Sequence, residues 1–433
     1  MNPTILLDHE PTSDPARHVV RALLRVDGTA PDRGARVPLN LSVVLDCSGS
    51  MSGAKLHHAK QAAEQLLARV HPEDTTSVVS FASDVVVVAP AAKRGSQTQL
   101  GSEIARIVTR GMTNLSGGWL EGRAQVERFK AEQSSNRIVL MTDGLANQGI
   151  TDSDQLARLF GQARAHGVTT STIGFGQDFD EALLERLADA GGGNAHYIEH
   201  PDQAEVVFRS ELDELLALSA QNLTVELRLE GGVELVAVHH SYPRETTGRG
   251  IRLRLGDLYA SEPKQLLIEL GARASGPDSV PLASVLLAGD VLTPEGGIER
   301  REISLPVSFS PAVGPVVDPE VRRTLVFLEA AAARREALED ERQNRFEAGA
   351  AKLRRAAASI LSVADDDRGR EEAQDLELMA NMLSSGAFGA AERKYMSHRD
   401  YKLSRSKMST ADLLSRSRRE SGEHDEGPQR PSR

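Results

Sequence analysis

Short apolar runs alternate with helical stretches from Asn40 to Leu218, and this alternation constrains the fold more than any other feature of the sequence. Runs such as LSVVLD, NRIVLMTD and VTTSTIGF are mostly apolar, whereas the stretches between them carry apolar residues at helical spacing. Strands with two apolar faces are typical of a parallel sheet covered by helices on both sides. The pattern therefore predicts a doubly wound α/β domain.

Two further details of this segment give local predictions. The runs TSVVSF and VVVVAP are joined by only ASD, which predicts one antiparallel hairpin in the otherwise parallel sheet. The glycine-rich GGGNAH, residues 191–196, lacks the strand–loop–helix setting of a dinucleotide-binding loop, so we interpret it as a flexible turn. Helices are predicted over residues 55–70, 100–108, 120–132, 153–166, 181–190 and from Asp202 to about Leu218.

The rest of the chain has other patterns of apolar and polar residues. Alternating apolar and polar positions with turn-rich breaks predict an antiparallel β-sandwich after the α/β domain, and RHVVRALLRVDG before that domain predicts a strand of the same sandwich. The α/β domain would then be an insertion. The expected organisation is an N-terminal segment (1–39), the α/β domain (40–218), the sandwich (219–310), a proline-rich linker (311–319), a helical hairpin or small bundle (320–400) and a basic then acidic tail (401–433).

Composition narrows the functional classes. The formal net charge of −11 argues against a general nucleic-acid binder, which needs a concentrated basic face. No segment has the roughly 18 uninterrupted apolar residues of a membrane span, and the N-terminus does not resemble a secretion signal, so we expect a cytoplasmic protein. The single cysteine, Cys47, excludes an internal disulfide.

One stretch near the C-terminal end is basic, although the net charge of the whole chain is negative. Residues from Arg393 to Arg419 are strongly basic and are followed by the polar, acidic SGEHDEGPQRPSR. The simpler interpretation is a solvated, partly disordered tail; the alternative is a docking segment for an acidic partner or a membrane.

Hydroxyl and carboxylate side chains cluster where the predicted strands end. Asp46 closes the first strand, Ser48 and Ser50 follow at alternate positions in a glycine-containing turn, Thr113 lies in the loop GMTNLSGG, and Asp143 ends a later strand. Ligands of open α/β sheets bind beyond the carboxyl ends of the strands, so these residues are expected at one edge. Two carboxylates and three hydroxyls are hard oxygen donors, which suit Mg²⁺ that keeps some water better than zinc.

These residues carry a resemblance. The motif Asp-x-Ser-x-Ser in DCSGS, the threonine of GMTNL and the aspartate of MTDG resemble the metal-ion-dependent adhesion site of von Willebrand factor A domains, which include the integrin I domains. The resemblance covers about residues 40–218. A second one, based on domain order and on the ending GAFGAAERKYMSHRDYKLSRSK, is to bacterial cytosolic A-domain or calcium-activated-chloride-channel-like proteins. It implies no channel, since the sequence has no membrane segment.

The first resemblance implies a role for each matching residue. Ser48 and Ser50 would ligate Mg²⁺ directly (Mn²⁺ or Ca²⁺ are alternatives), and Thr113 would join them in a ligand-bound form. Asp46 and Asp143 would lie close, partly through water. One coordination position would stay open for an Asp or Glu side chain of a partner protein. Trp119, which follows the Thr113 loop, is either a packing residue or a partner-binding anchor.

The sequence is compatible with other interpretations of these residues. Asp-x-Ser-x-Ser can simply be a helix N-cap. A phosphatase of the haloacid dehalogenase type would need a second acidic residue where Ser48 stands, so we expect no enzyme. Cys47 is expected to be a packed thiol that points away from Asp46.

Three functions are compatible with this pattern. The first is a non-enzymatic, metal-dependent protein-binding module that recognises an acidic residue. The second is a subunit that acts with a separate AAA+ ATPase of the MoxR-associated kind, because the chain has no Walker motif. The third is a regulator whose basic tail binds a membrane or an acidic protein.

Overall fold

A computed structural model of the chain describes residues 1–11, 17–29, 37–131, 134–144, 146–176, 179–198, 218–248, 250–260, 262–274, 278–293, 297–311 and 315–405. These residues fall into two compact units. One joins the segment up to Val37 to the segment from Leu218 onward, and the other runs from Pro38 to Ile198. No helix in the described ranges is both long and apolar enough to cross a membrane.

The elements are numbered in chain order. The strands are β1 (Asn2–Pro11), β2 (Arg17–Asp27), β3 (Leu39–Asp46), β4 (Thr75–Phe81), β5 (Val85–Lys93), β6 (Ser135–Thr142), β7 (Val168–Phe175), β8 (Gly192–Ile198), β9 (Leu218–Leu229), β10 (Glu234–Val238), β11 (Arg244–Thr247), β12 (Gly250–Tyr259), β13 (Lys264–Arg273), β14 (Val280–Leu292) and β15 (Ile298–Phe309). The α-helices are α1 (Ala54–Ala68), α2 (Leu100–Ala105), α3 (Leu115–Arg128), α4 (Ser153–Ala165), α5 (Glu181–Gly191), α6 (Pro319–Arg342), α7 (Phe346–Val363), α8 (Asp367–Ser385) and α9 (Ala390–Leu403).

The unit from Pro38 to Ile198 is built on a six-stranded sheet with the order β5-β4-β3-β6-β7-β8. All neighbouring strands are parallel except the β4–β5 hairpin, so the predicted doubly wound sheet and its one antiparallel hairpin are confirmed. Every residue of β3, β4, β6 and β7 is buried, as expected for strands covered on both faces. The predicted helix from Asp202 to about Leu218 lies outside the described residues, apart from Leu218 itself, which begins β9.

Two apolar cores cover the two faces of this sheet. One contains side chains of α1 and α2, such as Leu66 and Ile104, and the other contains side chains of α3, α4 and α5, such as Trp119 and Phe160. The chain winds outward from β3 in one direction and then starts again at β6 on its other side. This reversal is the topological switch point, where open α/β sheets leave a crevice at the carboxyl ends of the strands.

The glycine-rich segment 191–196 does not form the flexible turn that the sequence predicted. Gly192 ends α5 with a left-handed φ of 76°, and the chain continues at once into β8, which pairs with β7 in parallel. A Cβ at Gly193 would lie 2.3 Å from the carbonyl oxygen of Thr170. The glycine therefore allows a close approach of two strands rather than mobility.

The second unit contains two antiparallel sheets that share one apolar core. The four-stranded sheet has the order β1-β2-β13-β10, and the five-stranded sheet has the order β11-β12-β9-β14-β15. Side chains from both sheets, such as Val20, Leu24, Val225 and Leu287, form the shared core. This arrangement is the predicted sandwich, and β2 pairs with β13 from Arg17 to Val26.

The four C-terminal helices of this unit pack around a core of their own. The first of them, α6, also places Val321 and Leu328 against Leu23 and Leu267 of the four-stranded sheet. Part of the predicted linker is fixed by hydrogen bonds, since the main chain of Val316 exchanges two of them with His9. Asp318 then caps α6 by accepting hydrogen bonds from the first backbone N–H groups.

The last helix agrees with the helical region predicted up to residue 400, but the interpretation of the basic stretch from Arg393 as a solvated tail is wrong for its first part. Residues 390–403 form α9, in which Met396, Arg399 and Lys402 are buried. Arg399 Nη2 donates to Glu372 Oε2 of α8 at 2.7 Å, so its charge is neutralised inside the bundle. The remainder of the basic stretch and the acidic end, residues 406–433, lie outside the described residues.

Close packing of α3 on β4 predicts a specific sensitivity. A Cβ on Gly118 would lie 2.4 Å from the Phe81 ring, whereas a Cβ on Gly101 of α2 would meet nothing within 4 Å. Gly118→Ala should lower the free energy of unfolding by about 1–3 kcal/mol because the ring cannot retreat from a packed core. Gly101→Ala is the matched control and should leave it unchanged or raise it by up to about 1 kcal/mol. Urea unfolding of both variants measures this, and equal stabilities would contradict the packing.

Candidate functional site

The candidate site lies at the carboxyl ends of β3 and β6, on the two sides of the switch point. These strands are parallel neighbours, with Leu45 opposite Met141, so Asp46 and Asp143 both follow at the same edge of the sheet. Both carboxylates are buried, with 0% of each residue exposed. Two buried acidic side chains at one edge need a positive charge or hydrogen-bond donors to offset their lost hydration.

Hydrogen bonds fix the carboxylate of Asp46. Ser48 N donates to Asp46 Oδ1 at 2.8 Å, and Thr142 Oγ1 donates to Asp46 Oδ2 at 2.5 Å. Burial raises the pKa of Asp46 to about 6, although these hydrogen bonds lower it, and nearby Asp143 adds to the increase. Loss of hydration therefore outweighs the hydrogen bonds that Ser48 and Thr142 donate to this carboxylate.

The carboxylate of Asp143 receives fewer hydrogen bonds from the described residues than that of Asp46. Its Oδ1 atom is buried and has no hydrogen-bond partner among the residues that the structure describes. Its Oδ2 atom faces the ammonium of Lys55, with an Nζ–Oδ2 distance of 3.5 Å. A buried carboxylate oxygen without a donor has the vacant coordination that a cation would fill.

The two serine hydroxyls lie side by side. Ser48 Oγ and Ser50 Oγ are 3.1 Å apart, within the turn that links β3 to α1. Ser48 begins the short 3₁₀ helix Gly49–Met51 without using its side chain as a cap, and Gly53 occupies the N-cap position of α1. The helix-capping interpretation of Asp-x-Ser-x-Ser is therefore wrong, and both hydroxyls keep lone pairs for another ligand.

The Thr113 loop is joined to the other two loops through the main chain. Gly49 N donates to Gly111 O at 3.1 Å, which ties it to the serine turn. On the other side, Thr113 N donates to Asn147 Oδ1 at 2.7 Å, and Asn147 N donates back to Thr113 O at 3.2 Å. Thr113 is 2% exposed, so the loop holds it at the edge rather than in solvent.

Two sequence predictions about neighbours of the site have clear outcomes. The prediction of Trp119 as a partner-binding anchor is wrong. Its side chain is 0% exposed, stacks on Phe160 with ring centroids 4.2 Å apart, and donates to Thr170 Oγ1.

The prediction of Cys47 as a packed thiol is confirmed, because Cys47 lies in the apolar core beneath α1. Burial raises the pKa of Cys47, which disfavours its reactive thiolate.

Sequence reasoning missed four residues of this edge. Thr142 and Asn147 hold Asp46 and Thr113 in place, and Met112, beside Thr113, exposes an apolar side chain at 52%. Lys55 faces Asp143. Only Lys55 had a signal in the sequence, since a cation in the first turn of a helix is disfavoured by the helix dipole and so calls for a reason.

The donor set fits a hard divalent cation. The side chains of the site offer oxygen atoms only, and Oδ1 of Asp143 accepts no hydrogen bond from the part of the chain that the structure describes. The donor residues are Asp46, Ser48, Ser50, Thr113 and Asp143. Mg²⁺ prefers oxygen ligands and retains water when few of them are charged. The described residues contain no cluster of three or more His, Cys, Asp and Glu side chains, which a zinc site would need.

Comparison with known proteins agrees with this geometry. A family model described as the von Willebrand factor type A domain matches residues 40–210, which contain all the strands and loops of the site. The chain contains a von Willebrand factor type A (VWA) domain. Such domains are commonly protein-interaction modules.

Relatives and solved structures extend the comparison beyond the VWA domain. The uncharacterized protein sll0103 of Synechocystis is 30% identical over 57% of this chain and 60% of its own, and YfbK of Escherichia coli K12 is 31% identical over 48% and 37%. This chain therefore spans less than two thirds of either relative. A von Willebrand factor type A structure from Catenulispora acidiphila has a TM-score of 0.66 at 20% identity and covers 88% of both chains, which shows a shared fold.

The pKa of Asp46 predicts how stability depends on pH without divalent ions. Because the folded-state pKa of about 6 exceeds the ordinary 3.8, this carboxyl contributes stability below pH 3.8 that is lost as the pH rises through 6. The loss is on the order of 3 kcal/mol. The Asp46→Asn variant lacks the titrating carboxyl and should not show this loss. As the pH rises from about 4 to 7, the wild type should therefore lose unfolding free energy relative to the variant, measured by urea unfolding in EDTA. Parallel pH dependences of the unfolding free energy in the two proteins would contradict the raised pKa of Asp46.

Proposed function

We propose that this protein is a non-enzymatic, metal-dependent interaction module whose VWA domain holds a divalent cation and presents it to an acidic residue of a partner protein. Mg²⁺ is the proposed ion, with Mn²⁺ and Ca²⁺ as substitutes. Ser48, Ser50 and Thr113 would hold it through hydroxyl oxygens, with Asp46 and Asp143 close by. The single observation that carries the proposal is the buried Oδ1 of Asp143, which has no hydrogen-bond donor among the described residues, beside a second buried carboxylate.

The balance of charge supports an anionic ligand. Hydroxyl ligands add no negative charge, so an ion held mainly by Ser48, Ser50 and Thr113 is balanced by no more than the two aspartates. Such an ion remains a Lewis acid toward an incoming carboxylate. The bound ion would supply this attraction, while the residues of the chain fix its position through the hydrogen bonds to Asp46 and Thr113.

The surface beside Thr113 offers a partner an apolar contact in addition to the cation. Met112 is 52% exposed, and its backbone N–H donates to Ser83 Oγ at 2.8 Å, so its position is fixed although its side chain faces solvent. Methionine adapts well to varied apolar surfaces. We therefore propose a partner segment that carries an Asp or Glu next to an apolar side chain.

The metal part of the proposal is tested by two serines of one turn. Ser50→Ala removes a proposed ligand, and Ser52→Ala removes an exposed hydroxyl two residues on and serves as the control. Isothermal titration with Mn²⁺ should show affinity lower by about tenfold or more for Ser50→Ala and wild-type affinity for Ser52→Ala. Equal affinities, or no Mn²⁺ binding by the wild type, would refute the metal site.

The binding part is tested by capture with synthetic peptides. Wild-type protein in Mn²⁺ should retain peptides that contain Asp or Glu beside an apolar residue, and should release them in EDTA. Asn or Gln in place of the acidic residue should abolish retention, because a neutral amide is a much weaker ligand. Met112→Ser should weaken retention while leaving Mn²⁺ affinity unchanged. Retention that survives EDTA would contradict metal-dependent recognition.

The two alternative functions stay predictions, together with the cytoplasmic location. An AAA+ ATPase partner predicts co-purification that depends on ATP, and a basic tail that binds a membrane or an acidic protein predicts loss of binding on deletion of residues 406–433. Neither rests on a described residue of the site, so the metal-dependent module is the preferred proposal.

A further inference from the structure

Lys55 is a charged neighbour of the site that the proposed function does not use. It lies in the first turn of α1, and its Nζ is 3.5 Å from Asp143 Oδ2. The side chain of Asp143 is 1% exposed and that of Lys55 is 26% exposed, so the pair is largely shielded from solvent. A pair of this kind is screened less than a surface ion pair.

The position of Lys55 is unfavourable for the helix on its own. The N-terminal end of a helix carries partial positive charge, which disfavours a cation in the first turn. The first turn of α1 has no acidic residue, and Gly53 at its N-cap has no side chain to donate or accept. The favourable partner of the ammonium therefore lies outside the helix, in the carboxylate of Asp143 that follows β6.

The stem of Lys55 is also guided toward this carboxylate. A Cβ at Gly176, which follows the neighbouring strand β7, would lie 2.5 Å from Lys55 Cε and 3.2 Å from Lys55 Nζ. Gly176 has a left-handed φ of 85°, so glycine is favoured there for its backbone as well. The missing side chain leaves space for the lysine stem, which sets the ammonium beside Asp143.

We propose that Lys55 is the built-in counter-ion of the cation site. Its ammonium balances Asp143 when no divalent ion is present, and it opposes the ion when one binds. This inference rests on the proposed function and adds a regulatory role to the same site. Lys55 is thus a tuning residue rather than a ligand, because an ammonium has no lone pair for a metal.

The count of charges shows what Lys55 contributes to partner binding. Two ionised carboxylates and one ammonium leave one net negative charge, and a divalent ion converts this to one net positive charge. Without the ammonium, the loaded site would be neutral. Lys55 therefore weakens the hold on the metal but leaves the loaded site attractive to the carboxylate of a partner.

The test uses Mn²⁺ alone as the probe, with the full chain. Lys55→Gln should bind Mn²⁺ about tenfold more tightly than the wild type, because removal of a unit positive charge near a divalent ion relieves repulsion. Lys55→Arg keeps the charge and should remain within about threefold of the wild type. Arg69→Gln, which removes an exposed positive charge about 20 Å away at the other end of α1, controls for net charge.

A second readout needs no metal. In EDTA, Lys55→Gln should lower the midpoint of urea unfolding in the wild-type background but not in an Asp143→Asn background, since the charge that it pairs with is then absent. The same lowering in both backgrounds would overturn the pairing.

The outcomes separate this inference from the function on which it rests. Mn²⁺ binding by the wild type with equal or weaker affinity in Lys55→Gln overturns the counter-ion role and leaves the proposed function standing. Failure of the wild type to bind Mn²⁺ overturns both. Tighter binding by Lys55→Gln, together with a stability effect that depends on Asp143, supports the inference.

Discussion

Two buried carboxylates at the switch point of the parallel sheet are the constraint on which the rest of the site depends. Asp46 and Asp143 follow adjacent strands, so their proximity is imposed by the register of β3 and β6 and not by flexible loops. Burial alone would make both ions costly. The surrounding structure offsets only part of this cost, through Ser48, Thr142 and Lys55. The unmet remainder is what the proposed cation would balance.

The fold holds the loops of the site together at one edge of the sheet. Cross-ties between loops, from Gly49 to Gly111 and from Thr113 to Asn147, hold three segments distant in sequence at one edge. Close packing of α3 on the sheet, where Gly118 meets the Phe81 ring, anchors the helix that follows the Thr113 loop. A preorganised set of this kind loses little entropy when an ion or a partner binds.

The sequence predicted the architecture of the VWA domain well, because its signals are local. Continuous apolar runs separated by helical stretches identify buried parallel strands, and strand ends locate Asp46 and Asp143. The errors arose where tertiary packing decides the outcome. The glycines of GGGNAH serve close strand pairing, the first basic residues after Arg393 are neutralised inside a helical bundle, and Trp119 fills the core beneath α3.

The residues that sequence reasoning missed act on their neighbours rather than on a ligand. Thr142 and Asn147 orient Asp46 and Thr113 through single hydrogen bonds that have no spacing rule in the sequence. Lys55 was detectable in principle, because its charge contradicts the preference of a helix N-terminus. Positions where a local rule is broken are therefore worth examining first when a site is sought in a sequence.

The position of a bound ion tests the central claim most directly. Crystals of the protein soaked in Mn²⁺ allow the ion to be located by anomalous scattering, independently of any partner. The account predicts one strong peak at the edge of the sheet, about 2.0–2.4 Å from Ser48 Oγ and Ser50 Oγ and close to Asp46 and Asp143. A peak at another site, or none at this edge while Lys55 stays paired with Asp143, would contradict it.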